Sequence, residues 1–162
     1  MKCSRWVYIL QISFLFWIGV TKSMAIDIDS SIDMDTMLAP CGAAPNCVCS
    51  VYDSALNEAP KWYIEPMTYD TTADNAVEKA FAKLEYVLAD LGLSVETADF
   101  PLITATASTR ILRFVDDLRF VFDVEKGLVH VRSESRVGYY DFVKNRRRLE
   151  TIRNLFAPAT ES

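Results

Sequence analysis

The chain has one histidine, His130, its acids outnumber its bases by 22 to 17, and it has no unbroken apolar run of 20 residues. Each shortage excludes something. A structural zinc site takes four ligands in closely spaced pairs. A lone histidine far from a Cys41-x5-Cys47-x-Cys49 cluster does not supply them, so no metal or other cofactor is expected. The net charge of −5 argues against non-specific nucleic-acid binding, which needs a basic face to displace counterions. A membrane-crossing helix needs about 20 apolar residues, and the longest candidate here, Trp6–Val20, has 15 and is broken by Gln11, Ser13 and Gly19.

That run reads instead as the centre of an export signal. Lys2 and Arg5 precede it, and Ser23-Met24-Ala25 places small residues at the two positions a signal peptidase reads. Residues 1–25 are expected to be a signal peptide. The alternative is a protein anchored through residues 6–20. Cleavage removes Lys2, Arg5 and Lys22, taking the charge from −5 to −8, and leaves no membrane span. Residues 26–39, rich in aspartate, read as a flexible arm, residues 40–157 as one domain, and residues 158–162 as a tail. The compartment is then extracellular, periplasmic or an organelle lumen.

In such a compartment "CGAAPNCVCS" is expected to hold a disulfide. Cys41 pairs with Cys47 or with Cys49, and the third thiol stays free. Charge is uneven along the rest. Cys41–Thr109 carries 10 acids and 3 bases, whereas Arg110 to the end carries 11 bases and 8 acids, so an anion-binding surface belongs in the C-terminal third.

From Ala73 to Leu91, Val77, Ala80, Phe81, Leu84, Val87, Leu88 and Leu91 make one helical stripe, with Thr71 or Thr72 as cap and Gly92 as stop. "WYIEPM" is a short edge strand, because Pro66 cannot donate to a ladder. "LITATAST" is a strand. "ILRFVDDLRFVFDVEKGLVHVRSESRVG" is a hairpin with apolar residues at even positions on its first arm and odd positions on its second. Opposed residues share a face, so even must pair with odd. A two-residue loop at Lys126-Gly127 does this, and it sets Arg119 against Glu134 and Asp117 against Arg136. A last helix runs from about Phe142 to Phe156 with Asp141 as N-cap. The fold expected is α+β: an antiparallel meander of three to four strands with two helices on one face.

The hairpin's apolar face carries Asp116, Ser133 and Ser135, and the last helix's inward row begins with Asn145. With Arg136 and Arg146 these six form a candidate polar cluster, where a buried carboxylate needs partners. In this register His130 lies on the solvated face, so no Ser-His-Asp arrangement is supported. Asp116 and Asp117 point to opposite faces and cannot act as paired carboxylates. No catalytic residue is assigned.

"PNCV", "FVDDLRF" and "VRSESRVGYYDFVKNRRRLETIR", in that order and spacing, resemble the domain of unknown function 1499 family, found mostly in bacterial exported or membrane-attached proteins and in plastid proteins. The resemblance runs from about Pro40 to Phe156. It implies no activity. It does mark Pro45, Asn46, Cys47, Asp116, Asp117, Arg132, Ser133, Ser135, Arg136, Gly138, Asp141, Asn145, Arg146 and Arg148 as motif positions. The family usually has Cys-Val-Ser-Ser where this chain has Cys47-Val48-Cys49-Ser50, and the extra thiol leaves the pairing open. Three functions are consistent with these readings. The first is a non-catalytic binding or interaction module for a small anion or protein partner. The second is a hydrolase-like or other enzyme with Asp116 as general base. The third is a purely structural envelope or lumen protein.

Overall fold

The computed structural model describes residues 37–42, 45–53, 55–56, 58–109, 113–139 and 143–157. The expected signal peptide, most of the acidic arm, Asp141 and the tail lie outside them. Strands β1 (Cys47–Cys49) and β2 (Met67–Thr68) come first, then helix α1 (Ala76–Asp90). Four strands follow: β3 (Ser94–Asp99), β4 (Leu102–Ser108), β5 (Val115–Asp123) and β6 (Leu128–Ser135). Helix α2 (Lys144–Phe156) closes the chain. The strands form one antiparallel sheet in the order β1-β6-β5-β4-β3, with β2 also pairing β6. The fold is α+β as expected, with six strands rather than three to four.

The two unforeseen strands gave weak signals for physical reasons. β3, "SVETAD", is an edge strand whose register shifts between Val95 and Thr97, so its side chains do not keep period two. β1 is three residues long, too short to show a period. "WYIEPM" contributes only its last residue, Met67, to β2, directly after Pro66.

Six of the seven residues of the helix α1 stripe face the core: Ala80, Leu84, Val87 and Leu88 are buried, and Val77 and Phe81 pack beside them, whereas Leu91 is the C-cap and is exposed. The helix starts three or four residues beyond the expected caps. Asn75, at φ 56, is the N-cap, while Thr72 gives its N–H and hydroxyl to Asp70 Oδ1 at 2.8 and 2.6 Å. Gly92 ends the helix as expected. At φ 73 it donates to Ala89 O at 2.9 Å, and Leu93 N–H reaches Leu88 O at 3.0 Å, the crossed bonds of a Schellman motif. Helix α2 starts at Lys144 with Val143 as N-cap, two residues later than Asp141 would place it. Its buried row is Asn145, Leu149, Ile152 and Phe156, as expected.

Both helices cover one face of the sheet. Ile103, Leu118, Phe120, Phe122, Val129 and Val131 meet Leu84, Leu88, Leu149, Ile152 and Phe156 there. Phe122 sits at the centre, with the Phe81 ring 5.3 Å and the Tyr69 ring 5.8 Å away.

The hairpin requires a correction. Asp123 pairs with Leu128, so the loop has four residues, Val124–Gly127, not two. Asp123 organises it: Oδ1 accepts Lys126 N–H at 3.1 Å, Oδ2 accepts Lys126 Nζ at 2.8 Å, and Gly127 supplies φ 64. The register is shifted by two from the expected one. Each residue keeps its face, but each opposed pair changes. Arg119 faces Arg132, and Asp117 faces Glu134. The expected Asp117–Arg136 contact survives as a diagonal one, whereas Arg119–Glu134 is replaced by Arg132–Glu134 at 2.8 Å.

A second, smaller core lies on the far face of the sheet. Leu38, Cys41, Cys47, Cys49 and Val121 pack there. Leu38 is 0% exposed, so Met37 and Leu38, assigned above to the flexible arm, belong to the domain.

Candidate functional site

Asp116 and Ser135 face each other across β5 and β6, and Ser133 lies one inward position further along β6. Helix α2 lays Asn145 against them. Asp116 is 4% exposed and both its oxygens are taken: Oδ1 accepts the Ser135 hydroxyl at 2.6 Å, and Oδ2 accepts Arg148 Nη2 at 2.7 Å. Asn145, fully buried, accepts the Ser133 hydroxyl at 2.7 Å and Arg148 Nη1 at 2.8 Å on Oδ1. Its amide donates to Asn46 O at 2.8 Å and to Ser135 Oγ at 3.2 Å. An amide can make four such bonds, and Asn145 makes all four. Asn46 extends the seam, its amide donating to Gly138 O at 2.6 Å and Ser135 O at 3.2 Å. The network therefore ties the chain entering β1, strands β5 and β6, and helix α2 together, and its hydroxyls and carboxylate are committed to one another.

The other face of β4–β6 carries a different arrangement. The disulfide segment covers its Val121 side, and Arg119 Nη1 donates to Met37 O at 3.3 Å at the border. Beyond that border Glu96, Thr104, Thr106, Asp117, Arg119, Arg132, Glu134 and Arg136 line an open polar depression, with the Thr106 hydroxyl donating to Glu96 Oε1 at 3.0 Å. Hydrogen bonds from Arg136, at 2.7 and 2.8 Å, hold the Asp117 carboxyl below the usual carboxylate range. Arg119 forms no salt bridge among the described residues.

At the hairpin end of this face, His130 is less solvated than expected. Its Nδ1 is 3.3 Å from Ser50 Oγ, and Nε2 is 3.9 Å from Asp123 Oδ2. Burial pushes its pKa below the usual 6.5, against the pull of Asp123. The three residue types match a hydrolytic triad, but the geometry does not. Ser50 is buried and its Oγ accepts Val131 N–H at 2.8 Å. The histidine–aspartate distance exceeds hydrogen-bonding range, and Asp123 is held by Lys126.

A family model described as a protein of unknown function (DUF1499) matches residues 37–156. The chain belongs to the DUF1499 family. No curated protein and no solved structure matches it.

Of the six DUF1499 positions proposed as a cluster, the structure brings four together: Asp116, Ser133, Ser135 and Asn145. Arg136 is excluded, because residue 136 falls on the open face and its guanidinium pairs with Asp117. Arg146 is excluded as well, since it turns away to the carbonyls of Lys61 and Tyr63, both at 2.8 Å. Arg148 and Asn46 take their places. Both were recognised as motif positions, and Arg148 sits three residues beyond Asn145, a spacing that puts two side chains on one helix surface. The disulfide joins Cys41 and Cys47, with Cα atoms 5.7 Å apart. Cys49 is free and buried, and burial pushes its thiol pKa up. Among the described residues no group of His, Cys, Asp and Glu is placed to hold a metal, and no helix is long and apolar enough to cross a membrane.

Proposed function

We propose that this DUF1499 domain is a non-catalytic binding module of an exported compartment, with the open charged face of the sheet as its contact surface. The commitment of both Asp116 oxygens to Ser135 and Arg148 carries the reading. A general base needs an oxygen free to reach its proton, and the two seam serines are already donating, one to Asp116 and one to Asn145. The seam serves to fix helix α2, and recognition falls to side chains outside it. Arg119 and Arg132 stand directly opposed on the uncovered face. Arg132 is already paired with Glu134 at 2.8 Å, which leaves the Arg119 guanidinium to engage a carboxylate or phosphate group of a partner with planar, bidentate hydrogen bonds. The Cys41–Cys47 disulfide and the leader-like residues 1–25 support export.

Two measurements test this. N-terminal sequencing of the mature protein should begin at Ile26, and full-length protein retained in the membrane fraction would favour the anchored form. Cross-linking in the native compartment should give a discrete adduct with the parent that disappears in a folded Arg119→Glu/Arg132→Glu variant. Identical cross-linking by parent and variant would remove the open face from the proposal.

A further inference from the structure

Exposed apolar side chains gather at the end of the sheet where β5 begins and β6 finishes. Phe114, Val137, Tyr139 and Val143 are 43%, 64%, 75% and 43% exposed. Arg136 N–H donates to Val115 O at 3.0 Å, continuing the ladder by one step, so Phe114 and Val137 leave the sheet side by side. The Asn46 amide holds Gly138 O, next to Tyr139, at 2.6 Å. The Asn145 amide reaches Ser135 Oγ at 3.2 Å, which brings Val143 and the first turn of α2 to the same end. Single exposed apolar residues are ordinary. Four of them, from three chain segments at one end, mark an interaction surface.

The charge behind these side chains is one-sided. The first turn of α2 carries Lys144, Arg146 and Arg147 and no acid. A helix N-terminus bears a partial positive charge and favours acids, so bases crowded there are best offset by an anionic neighbour. Arg146 is satisfied by the carbonyls of Lys61 and Tyr63. Lys144, Arg147 and Arg113, the residue before Phe114, are exposed and form no salt bridge among the described residues. The acids that open β5, Asp116 and Asp117, are held by Arg148 and Arg136, each at 2.7 Å. The chain as a whole is acidic, at −5. Charges beyond about 8–10 Å are largely screened at physiological salt, so the local bases govern what this end meets.

We infer that this end of the domain docks on the surface of an anionic lipid bilayer. Phe114, Val137, Tyr139 and Val143 enter the interfacial layer, and Arg113, Lys144 and Arg147 meet the lipid phosphates. Apolar tips with bases close behind them match a surface that is anionic at its headgroups and apolar beneath. A second copy of the chain would instead set the same bases against one another. The contact is peripheral and needs no membrane-crossing helix. It is independent of the open-face proposal, because it uses the end of the sheet and not its face.

The test uses the full chain and vesicles of three parts phosphatidylcholine to one part phosphatidylglycerol, with a trace of phospholipid carrying a photoactivatable acyl chain. Adducts are mapped by mass spectrometry, which keeps this end separate from the apolar run at residues 6–20. Lipid adducts are expected on the peptides that contain Phe114, Val137 and Tyr139, and should be lost with phosphatidylcholine alone. In Lys144→Gln/Arg147→Gln the lipid concentration for half-maximal labelling of these peptides should rise about 25-fold, about fivefold for each base lost near an anionic surface. Val137→Ser/Tyr139→Ser should lower labelling of the Phe114 peptide, and both double variants should keep the parent's urea midpoint. Adducts confined to residues 1–25 would overturn the inference. So would equal labelling by phosphatidylcholine alone, or unchanged labelling in both double variants. A photo-cross-linker at position 139 that captures a protein and no lipid in the native compartment would overturn it in favour of an acidic protein partner.

Discussion

Asp116→Ala tests whether the seam holds the fold together. The carboxylate has one charged partner, Arg148 at 2.7 Å, and one neutral partner, Ser135 at 2.6 Å. Removing one member of a buried ion pair typically costs about 3–5 kcal/mol, because the other charge is left uncompensated. Here the cost is smaller. The Arg148 side chain is 19% exposed and keeps its bond to Asn145, so it can gather water. Ser135 likewise keeps the Asn145 amide as a donor. A loss of about 2–3 kcal/mol follows, one neutral hydrogen bond plus a partly relieved charge. In urea denaturation that lowers the midpoint by about 1–2 M at unchanged slope. The double variant Asp116→Ala/Arg148→Met should lose less than the sum of its two single variants, by at least about 1 kcal/mol, since no charge is left behind. Arg147→Ala, on an exposed position, should change stability by less than about 0.5 kcal/mol. If Asp116→Ala matches the parent midpoint, the carboxylate does not hold the seam, and an acid kept there is better explained by a ligand or a reaction.

Three further outcomes follow from the same contacts. Protein beginning at Ile26, denatured without reductant, should show one thiol, and the same thiol should react slowly in the native state because Cys49 is buried with a raised pKa. Two additional thiols would mean that the Cys41–Cys47 bond is absent. His130 has a folded pKa below 6.5, so the unfolded chain binds more protons between that folded value and 6.5. Stability should therefore fall as pH drops below about 6.5, and His130→Gln should flatten this region of the profile. A second decline should begin only below about pH 4, where Asp117 and Asp123, both depressed in the folded state, take up protons. Gly127→Ala places a Cβ 2.7 Å from Thr71 Cγ2 at φ 64 and should cost about 1–2 kcal/mol. Thr71→Ser in the same chain should restore only the steric part, which thermal unfolding of the parent, the single variant and the double variant would separate.

The sequence reveals the seam where polar residues interrupt an apolar face. Asp116, Ser133 and Ser135 stand at inward positions of strands whose other inward residues are Leu, Phe and Val, and Asn145 heads a row of Leu149, Ile152 and Phe156. The partners that complete the seam were harder to see. Arg146, Arg147 and Arg148 are adjacent and equally long. Helical geometry favours Arg148, about 60° around the axis from Asn145 against about 100° for Arg146, but a long side chain can cross either angle. Asn46 enters from 99 residues away in sequence and bonds Asn145 through its backbone carbonyl, so no local pattern announces it. Arg153 illustrates the same difficulty from the other side. It lies outside the buried row of its helix, yet it donates to the Glu65 carbonyl and pairs with Glu150 at 2.8 Å.

The hairpin shows why an agreement between charges can mislead. Period two fixes which face a residue occupies, and any even slip preserves it. Burial therefore selected odd against even without selecting among the odd–even registers. The expected register sets Arg119 opposite Glu134 and Asp117 opposite Arg136, two pairs of opposite charge that choose it only if the alternatives do not offer the same contacts diagonally. On this face, however, charges of alternating sign recur every second residue: Asp117 and Arg119 on one strand, Arg132, Glu134 and Arg136 on the other. A slip of two turns directly opposed partners into diagonal ones, and a diagonal neighbour is still within reach of an arginine. Asp117–Arg136 survives in this way at 2.7 Å. Contacts available in both registers cannot choose between them. The loop does choose. Asp123 can accept from Lys126 only if it stands at the loop's first edge, three residues ahead, and Gly127 takes its positive φ at the loop's end. The residues that decided the register were those of the turn, and the like-charged Arg119–Arg132 pair on the open face is the consequence of that decision.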